Sequence, residues 1–180
     1  MDIKTVCLGV LNNGQASGYQ IQKQLKGGLY QLFFDASFGS IYPALGKLTE
    51  EGLASCREVP QQGKPDKKVY AITPAGRVAF ARALGALPDE DKYRSDFLAR
   101  IMFCDSLLPH ELSEFLDARI DCHEQSIGNI ADMLSKAKSR GEEFVLGYCW
   151  AMNKASTEFI KENRHLVEME AVMAHVRATK

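Results

Sequence analysis

The chain has 180 residues, 46% hydrophobic and 25% charged, a globular composition in which no apolar run approaches the roughly 18 residues needed to cross a bilayer. An evenly spread net charge of -1 would argue against a nucleic-acid-binding protein. The charge is uneven, however: residues 1–87 carry 10 basic and 6 acidic side chains, whereas residues 88–180 carry 12 basic and 17 acidic side chains. The first half is therefore the candidate for nucleic-acid contact.

The first two predicted helices follow from hydrophobic periodicity and from a capping signal. Apolar residues recur at helical spacing from Ile3 to Leu11 and stop at the turn residues 12–14, which predicts a first helix. Ser17 stands three residues before Gln20, as in a capping box, where each side chain satisfies a free backbone amide. A second helix is therefore predicted to start there and to end between residues 25 and 30.

A third helix is predicted from its apolar face and from a proline. Its apolar face is formed by Ile41, Leu45 and Leu48. Because proline is tolerated only near the first turn of a helix, Pro43 places the start around residues 38–40. Gly52 then ends the helix.

Two strand-like runs follow, at residues 54–59 and 67–72. The segment between them contains the proline and glycine of a long hairpin loop and is rich in lysine. Thr73 and Pro74 then form an N-cap with proline at the first helical position, which predicts a helix to about residue 87. A short helix followed by a basic hairpin is typical of a recognition helix and its wing, a device that reads DNA and not a catalytic pocket.

Beyond Pro88 the pattern is helical throughout. It predicts a helix near residues 97–104, a longer one that Pro109 opens, and a second long helix after the break at residues 138–141. The two long helices are expected to form an antiparallel hairpin. Because a hairpin leaves each apolar stripe half covered, a second copy of the chain is expected to bury the remainder. The residues expected at this contact are Leu112, Leu116, Ile120, His123, Ile127, Met152 and Phe159.

Five segments of the first half resemble the PadR family of transcriptional regulators, in order and at the expected spacings. They are residues 18–21 (GYQI), 38–45 (FGSIYPAL), 51–53 (EGL), 63–70 (GKPDKKVY) and 72–76 (ITPAG). The second half, which residues 96–99 (DFLA) lead into, resembles the virulence-activator type of C-terminal domain of AphA-like members.

The resemblance implies a mainly α fold with a small β-hairpin. An N-terminal winged helix-turn-helix domain is expected over residues 1–87, and a C-terminal antiparallel long-helix dimerisation domain over residues 92–180. The implied function is that of a sequence-specific transcriptional regulator that binds a palindromic double-stranded DNA operator as a homodimer.

The resemblance also places a base-reading helix on residues 38–50 and a wing on residues 63–68. The residues expected to contact DNA are Tyr19, Lys23, Ser37, Gly39, Ser40, Tyr42, Lys47, Lys64, Lys67 and Lys68. Several have a plainer alternative: Lys23 and the wing lysines are solvated surface residues, the tyrosines are core aromatics, and Ser40 caps a helix. Asp66 stands in a wing where the family often carries arginine, and it weakens the local attraction for phosphate.

Other residues of the chain could form an effector pocket, a metal site or a catalytic site. Met102, Phe103, Tyr148 and Trp150 are most simply core residues, with a pocket for a small, flat, apolar effector as the alternative. A metal site is not expected, because the histidines and cysteines show no recurring ligand spacing. Neither a nucleophile elbow nor a phosphate-binding loop occurs, so neither an enzyme nor a cofactor is expected.

The compartment follows from the cysteines and the N-terminus. The five cysteines are scattered and contain no CxxC pair, a pattern typical of reduced thiols. The first residues lack the layout of a signal peptide. We therefore expect a cytoplasmic protein without a membrane anchor. The competing hypothesis is a non-catalytic helical module for protein interaction, in which the acidic half mediates assembly.

Overall fold

The computed structural model describes residues 1–34, 38–61, 64–91 and 93–178, which divide into two units, Met1–Asp91 and Lys92–Lys180. The first unit combines helices with a small antiparallel sheet. Its helices are α1 (Ile3–Asn12), α2 (Gly18–Lys26), α3 (Phe38–Glu50) and α4 (Pro74–Leu84). Its strands are β1 (Ala16–Ser17), β2 (Ala54–Gln61) and β3 (Lys64–Ile72), and a 3-10 helix covers Gly28–Leu32.

Side-chain caps fix where these helices begin. The predicted capping box is confirmed, because the Gln20 backbone N–H donates to the Ser17 hydroxyl at 3.3 Å and the Ser17 backbone N–H donates to the Gln20 side-chain Oε1 at 2.9 Å. The predicted proline at the start of α4 is also confirmed, with Thr73 as its N-cap. The predicted start of α3 around residues 38–40 is confirmed, since that helix begins at Phe38 and Pro43 lies within its second turn.

The sheet differs from the sequence prediction. β3 is its central strand, with β2 on one side and the two-residue β1, which was not predicted, on the other. The predicted loop at residues 60–66 was wrong over most of its length, because β2 extends to Gln61 and β3 starts at Lys64. The pairing of β2 with β3 shifts register between Val59 and Gln61, on either side of Pro60. Such a shift is expected there because proline cannot donate a ladder hydrogen bond.

The core of the first unit lies between α1, α2 and α3. The predicted apolar face of α3 is confirmed, since Ile41, Leu45 and Leu48 are completely buried. They pack with residues of α1 and α2 such as Leu11 and Ile21. One face of α3 is thereby committed to the core, and the opposite face is left for solvent or a partner.

A tight corner joins the end of α3 to the start of α4. Gly52 leaves α3 at φ +68°, and the Thr73 hydroxyl donates to the Gly52 carbonyl at 2.8 Å. The same hydroxyl accepts from the Gly76 N–H at 3.0 Å, while the Thr73 N–H donates to the Leu53 carbonyl at 3.1 Å. Gly76 packs so closely that a Cβ there would lie 2.0 Å from the Leu53 carbonyl oxygen.

The second unit is a pair of long helices preceded by shorter elements. Its helices are α5 (Asp96–Ile101), α6 (Pro109–Leu134) and α7 (Arg140–Ala178), with a 3-10 helix at Cys104–Ser106. Two side-chain contacts join α6 to α7: the Ser113 hydroxyl donates to the Glu168 carboxylate at 2.8 Å, and Glu124 forms an ion pair with Lys161. The earlier residue of α6 contacts the later residue of α7, as in two antiparallel helices. The predicted antiparallel hairpin is therefore observed.

The structure corrects three residues that were expected to contact a second copy. Leu112, Leu116 and Ile120 are buried in the core of this same chain, at 0%, 2% and 7% exposure. They pack with residues of α7 such as Ile160 and Ala171. These three residues of α6 are thus used within the chain, where α7 packs on them, and they are not exposed for a second copy.

The five cysteines are free thiols in different surroundings. Cys7, Cys104 and Cys149 are buried, whereas Cys56 and Cys122 are exposed. Burial raises the pKa of the Cys7 thiol to about 11, which keeps it protonated and unreactive at neutral pH. As for the membrane, none of the helices in the described ranges combines the length and apolarity that crossing would require.

The corner at Gly76 generates a stability prediction. Gly76→Ala should destabilise the first unit by about 2 kcal/mol or more, because the new Cβ meets a backbone carbonyl that cannot move without breaking the Thr73 hydrogen bonds. The control is Gly46→Ala on α3, where a Cβ meets nothing within 4 Å and alanine favours the helix. Urea denaturation measures both variants. A Gly76→Ala protein as stable as the wild type would contradict the account of this corner.

Candidate nucleic-acid interface

The outward face of α3 carries the residues expected to reach DNA bases. Gly39, Tyr42 and Lys47 are exposed, with Pro43 and Glu50 on the same side of the helix. Ser40 is half-buried at the edge of this face, and Ser37 lies outside the described residues. An α-helix with one face in the core and the other outward has the shape that enters a major groove.

A close contact joins this face to the start of α2. The Tyr42 ring lies against Gly18, where a Cβ would stand 2.6 Å from the Tyr42 Cε1 atom. Tyr19 follows and is exposed, and Lys23 lies one turn further along α2 and is also exposed. We call the residues Tyr19, Lys23, Tyr42 and Lys47 the α2–α3 surface. The predicted alternative of core aromatics is wrong for Tyr19 and Tyr42, which are 67% and 49% exposed.

The wing offers less charge than its lysines suggest. Lys67 and Lys68 are successive residues of β3 and therefore point to opposite sides of the hairpin. Lys68 faces Glu58 on β2, with the ammonium 3.9 Å from the carboxylate, an exposed pair that is easily broken. The side chain of Lys64 and all of Gly63 lie outside the described residues. Lys67, which is half-buried, is the other described lysine of the predicted wing.

Two arginines add positive charge that the sequence reasoning missed. Arg57 on β2 donates to the side-chain Oε1 of Gln15 at 2.8 Å, and Arg77 on α4 donates to the side-chain Oδ1 of Asn12 at 2.7 Å. Both side chains are exposed and these acceptors are neutral, so the positive charge remains available. Lys4 differs, because its ammonium group lies 2.7 Å from the Glu51 carboxylate, which neutralises its charge. A charge count alone could not separate these cases, since the pairing depends on the fold.

In the second unit, an apolar stripe remains on the surface of α7. Met152 and Phe159, which were expected to contact a second copy, are exposed, at 47% and 65%, and Ile127 on α6 is half-buried. The stripe continues along the helix with Phe144, Tyr148, Leu166, Met169, Val172, Met173 and Val176. In the single chain this apolar surface stays uncovered, and it is more extensive than scattered surface residues would give.

His123 has a defined role between the two long helices. Its Nδ1 lies 2.7 Å from the Asn153 Oδ1, while the Asn153 Nδ2 donates to the Cys149 carbonyl at 2.8 Å. Because that amide nitrogen is engaged, the amide oxygen faces the imidazole, so Nδ1 is assigned as the protonated nitrogen. His123 therefore links α6 to α7 within one chain.

The second unit contains a cavity of about 520 Å³, but the predicted effector residues do not line it. Met102 and Phe103 follow α5 and are exposed, and Tyr148 is exposed on α7. Trp150 is half-buried, with the Lys154 Nζ 5.2 Å from the centroid of its ring. The cavity instead lies between α5, α6 and α7, where Phe97, Leu116 and Ile160 are among its walls. These four residues do not line this cavity of the single chain, and a pocket that they would form in a dimer stays a prediction.

Comparison with known proteins places these units in a family. The model of the Transcriptional regulator PadR-like family matches residues 7–82. The Negative transcriptional regulator PadR of Bacillus subtilis is 26% identical over 180 residues, 97% of each chain. The PadR-like transcriptional regulator BC1756 from Bacillus cereus has a TM-score of 0.76 and 31% identity, over 91% of this chain and 94% of that one.

Other solved structures share the fold. Bacillus subtilis PadR in complex with operator DNA has a TM-score of 0.79 and 25% identity, over 91% of this chain and 98% of that one. The same protein in complex with p-coumaric acid has a TM-score of 0.73 and 24% identity, over 92% and 98%. The Vibrio cholerae virulence activator AphA is similar in fold, with a TM-score of 0.61 and 22% identity over 99% and 100%. The chain belongs to the PadR-like family of transcriptional regulators, and it is not an enzyme.

Proposed function

We propose that this regulator binds a palindromic operator as a homodimer, with α3 of each copy in a major groove. The observation that carries the proposal is the division of α3 into a buried face and an outward face, with Tyr42 held against Gly18 of α2. The existence of an operator-DNA complex of Bacillus subtilis PadR supports the same use of the fold. Two copies would place their recognition helices about one helical turn apart, roughly 34 Å.

Base and backbone contacts fall to different residues in this proposal. Tyr42 and Lys47 lie on the outward face of α3 and would reach base edges or the groove walls. Lys23 on α2, together with Lys67 and Arg57 on the hairpin, would contact phosphates. Such contacts fix the position of the protein on the duplex but carry no sequence information, so α3 would supply the specificity.

The second copy would pack on the apolar stripe of α7. The stripe includes Met152 and Phe159 and is too extensive to be scattered surface residues. The equivalent stripe of α6 is already covered within the chain. Association through α7 would therefore bury the part of the hairpin that the chain itself leaves exposed, which is the usual reason for a homodimer.

Operator binding would respond to a small effector. The cavity between α5, α6 and α7 offers a place for one, and the complex of Bacillus subtilis PadR with p-coumaric acid supports effector binding by this fold. An effector switches the protein only if it binds better to one dimer geometry than to another. The proposed consequence is a change in the separation of the two recognition helices.

A salt series tests the DNA contact. Fluorescence anisotropy with the DNA upstream of the gene should show tight binding that survives competitor DNA and weakens steeply as salt rises. The double variant Lys23→Ala, Lys67→Ala should bind more weakly, with a salt slope that is shallower by about 0.9 for each phosphate that the removed lysines neutralised. Lys4→Ala is the matched control, because Glu51 already neutralises Lys4. Binding without salt dependence, or without preference over competitor, would favour the protein-interaction hypothesis.

Single charges on α7 test the dimer. Met152→Glu and Phe159→Glu should each give a folded monomer, because the side chains are exposed in one chain but would place an unpaired carboxylate in the contact between copies. Sedimentation equilibrium measures the association, and circular dichroism confirms folding. Met102→Glu, at an exposed apolar residue that lies off α7, is the control. Dimers that persist in both α7 variants would rule out this interface.

A further inference from the structure

We propose that Gly18 is a positioning residue for DNA recognition, which acts by holding the Tyr42 ring in one place on the outward face of α3. Gly18 opens α2, and Tyr42 is an exposed residue of α3. The inference rests on the proposed function, because it concerns how an operator contact is prepared before DNA arrives.

The Tyr42 ring lies directly against the Gly18 backbone. A Cβ on residue 18 would stand 2.6 Å from the Tyr42 Cε1 atom, and the next two nearest atoms, at 3.1 and 3.2 Å, belong to the same ring. Non-bonded carbon atoms rest about 3.5–4.0 Å apart, so a side chain at residue 18 would displace the ring by roughly 1 Å. The observed place of the ring is therefore open only when residue 18 is glycine.

Of the two partners in this contact, Gly18 is the fixed one. The two residues before it form β1, which pairs with β3. Gly18 itself is buried and follows the Ser17–Gln20 capping box, which fixes the first turn of α2. The Tyr42 side chain is 49% exposed and can turn toward solvent. When a Cβ forces the two apart, the ring moves and the backbone stays.

Tyr70 of β3 is a second neighbour of Tyr42. Tyr70 is 7% exposed and belongs to the core of the first unit. Burial raises the pKa of its phenol, and the nearby Cys56 thiol and Tyr42 phenol raise it further. Tyr42 thus lies close to the start of α2 and to the sheet, so residues outside its own helix define where its ring rests.

A ring that is held in advance favours binding in two ways. Ordering a mobile side chain is one of the costs of association, and Tyr42 meets that cost within the folded chain. A binding site also needs its groups within about 0.5 Å of their productive places, which a displacement of roughly 1 Å exceeds. Gly18 therefore prepares Tyr42 for the operator.

The test is a double-mutant cycle on DNA affinity, measured with the full chain by fluorescence anisotropy. The probe is the duplex that the wild-type chain selects from a random library. Gly18→Ala should bind it about tenfold more weakly, and Tyr42→Ala should lose at least as much affinity. The double variant should bind no more weakly than Tyr42→Ala, because the alanine at residue 18 then has no ring to displace.

Stability separates this role from a structural one. Gly18→Ala should be as stable as the wild type in urea denaturation, because only an exposed side chain must move and alanine favours the helix. The affinity is thus lost without a loss of stability, which a residue needed only for folding would not show.

Gly9→Ala is the matched control. A Cβ on Gly9 of α1 would also press on an aromatic ring, since it would lie 3.2 Å from two atoms of Phe80 on α4. Phe80 packs against the core of the same unit, away from Tyr42. This variant should bind the selected duplex as tightly as the wild type.

A second measurement needs no variant and still decides the question if Gly18→Ala fails to fold. NMR of the wild-type chain with labelled tyrosine should show nuclear Overhauser contacts between the Gly18 Hα atoms and the Tyr42 ring. These contacts should be present in the free protein and should persist in the complex with the selected duplex.

Three results would overturn the inference: Gly18→Ala binds as tightly as wild type, it loses the same affinity whether or not Tyr42 is present, or the contact between the two residues is absent in the complex. A wild-type chain that selects no duplex would reject the proposed function and this inference with it. A selected duplex that Gly18→Ala binds normally would reject this inference alone.

Discussion

The proposed DNA-binding surface depends on one backbone corner, where the chain leaves α3 and later enters α4. Gly52 takes a left-handed conformation, and Thr73 bonds through both its hydroxyl and its N–H to the carbonyls of Gly52 and Leu53. Gly76 closes over the Leu53 carbonyl without room for a side chain. In the chain, β2 and β3 lie between Leu53 and Thr73. Because Thr73 is bonded to the Gly52 and Leu53 carbonyls, both ends of the hairpin are held at the end of α3. The hairpin and α3, the proposed wing and recognition helix, therefore have a fixed geometry within the first unit.

The second unit has two apolar surfaces, one inside the helical hairpin and one on the outside of α7. Leu112, Leu116 and Ile120 close the inside of the hairpin, while polar links such as Ser113 to Glu168 set the register of α6 against α7. The outer stripe of α7 remains uncovered. A chain that kept Met152 and Phe159 exposed without a partner would be prone to nonspecific association, and this is the physical reason for the proposed second copy on the stripe.

Much of this architecture could be predicted from local signals in the sequence. The capping box at Ser17, the buried face of α3 and the proline that opens α4 each depend on residues close together in the chain, and each was correct. What failed depended on contacts between distant residues. The two-residue β1 has too little periodicity to predict, and it exists because β3 pairs with it. The apolar spacing of α6 showed that Leu116 is buried but could not show whether α7 or another copy covers it.

The central claim is that two copies of the outward face of α3 read one operator. The most direct measurement is selection of bound duplexes from a random library by the purified protein, followed by sequencing. The account predicts an enriched inverted repeat whose half-site centres lie about 10 base pairs apart, or a multiple of that distance. An enriched single site or direct repeat would contradict the symmetric dimer, and the absence of any enriched sequence would contradict sequence-specific recognition by α3.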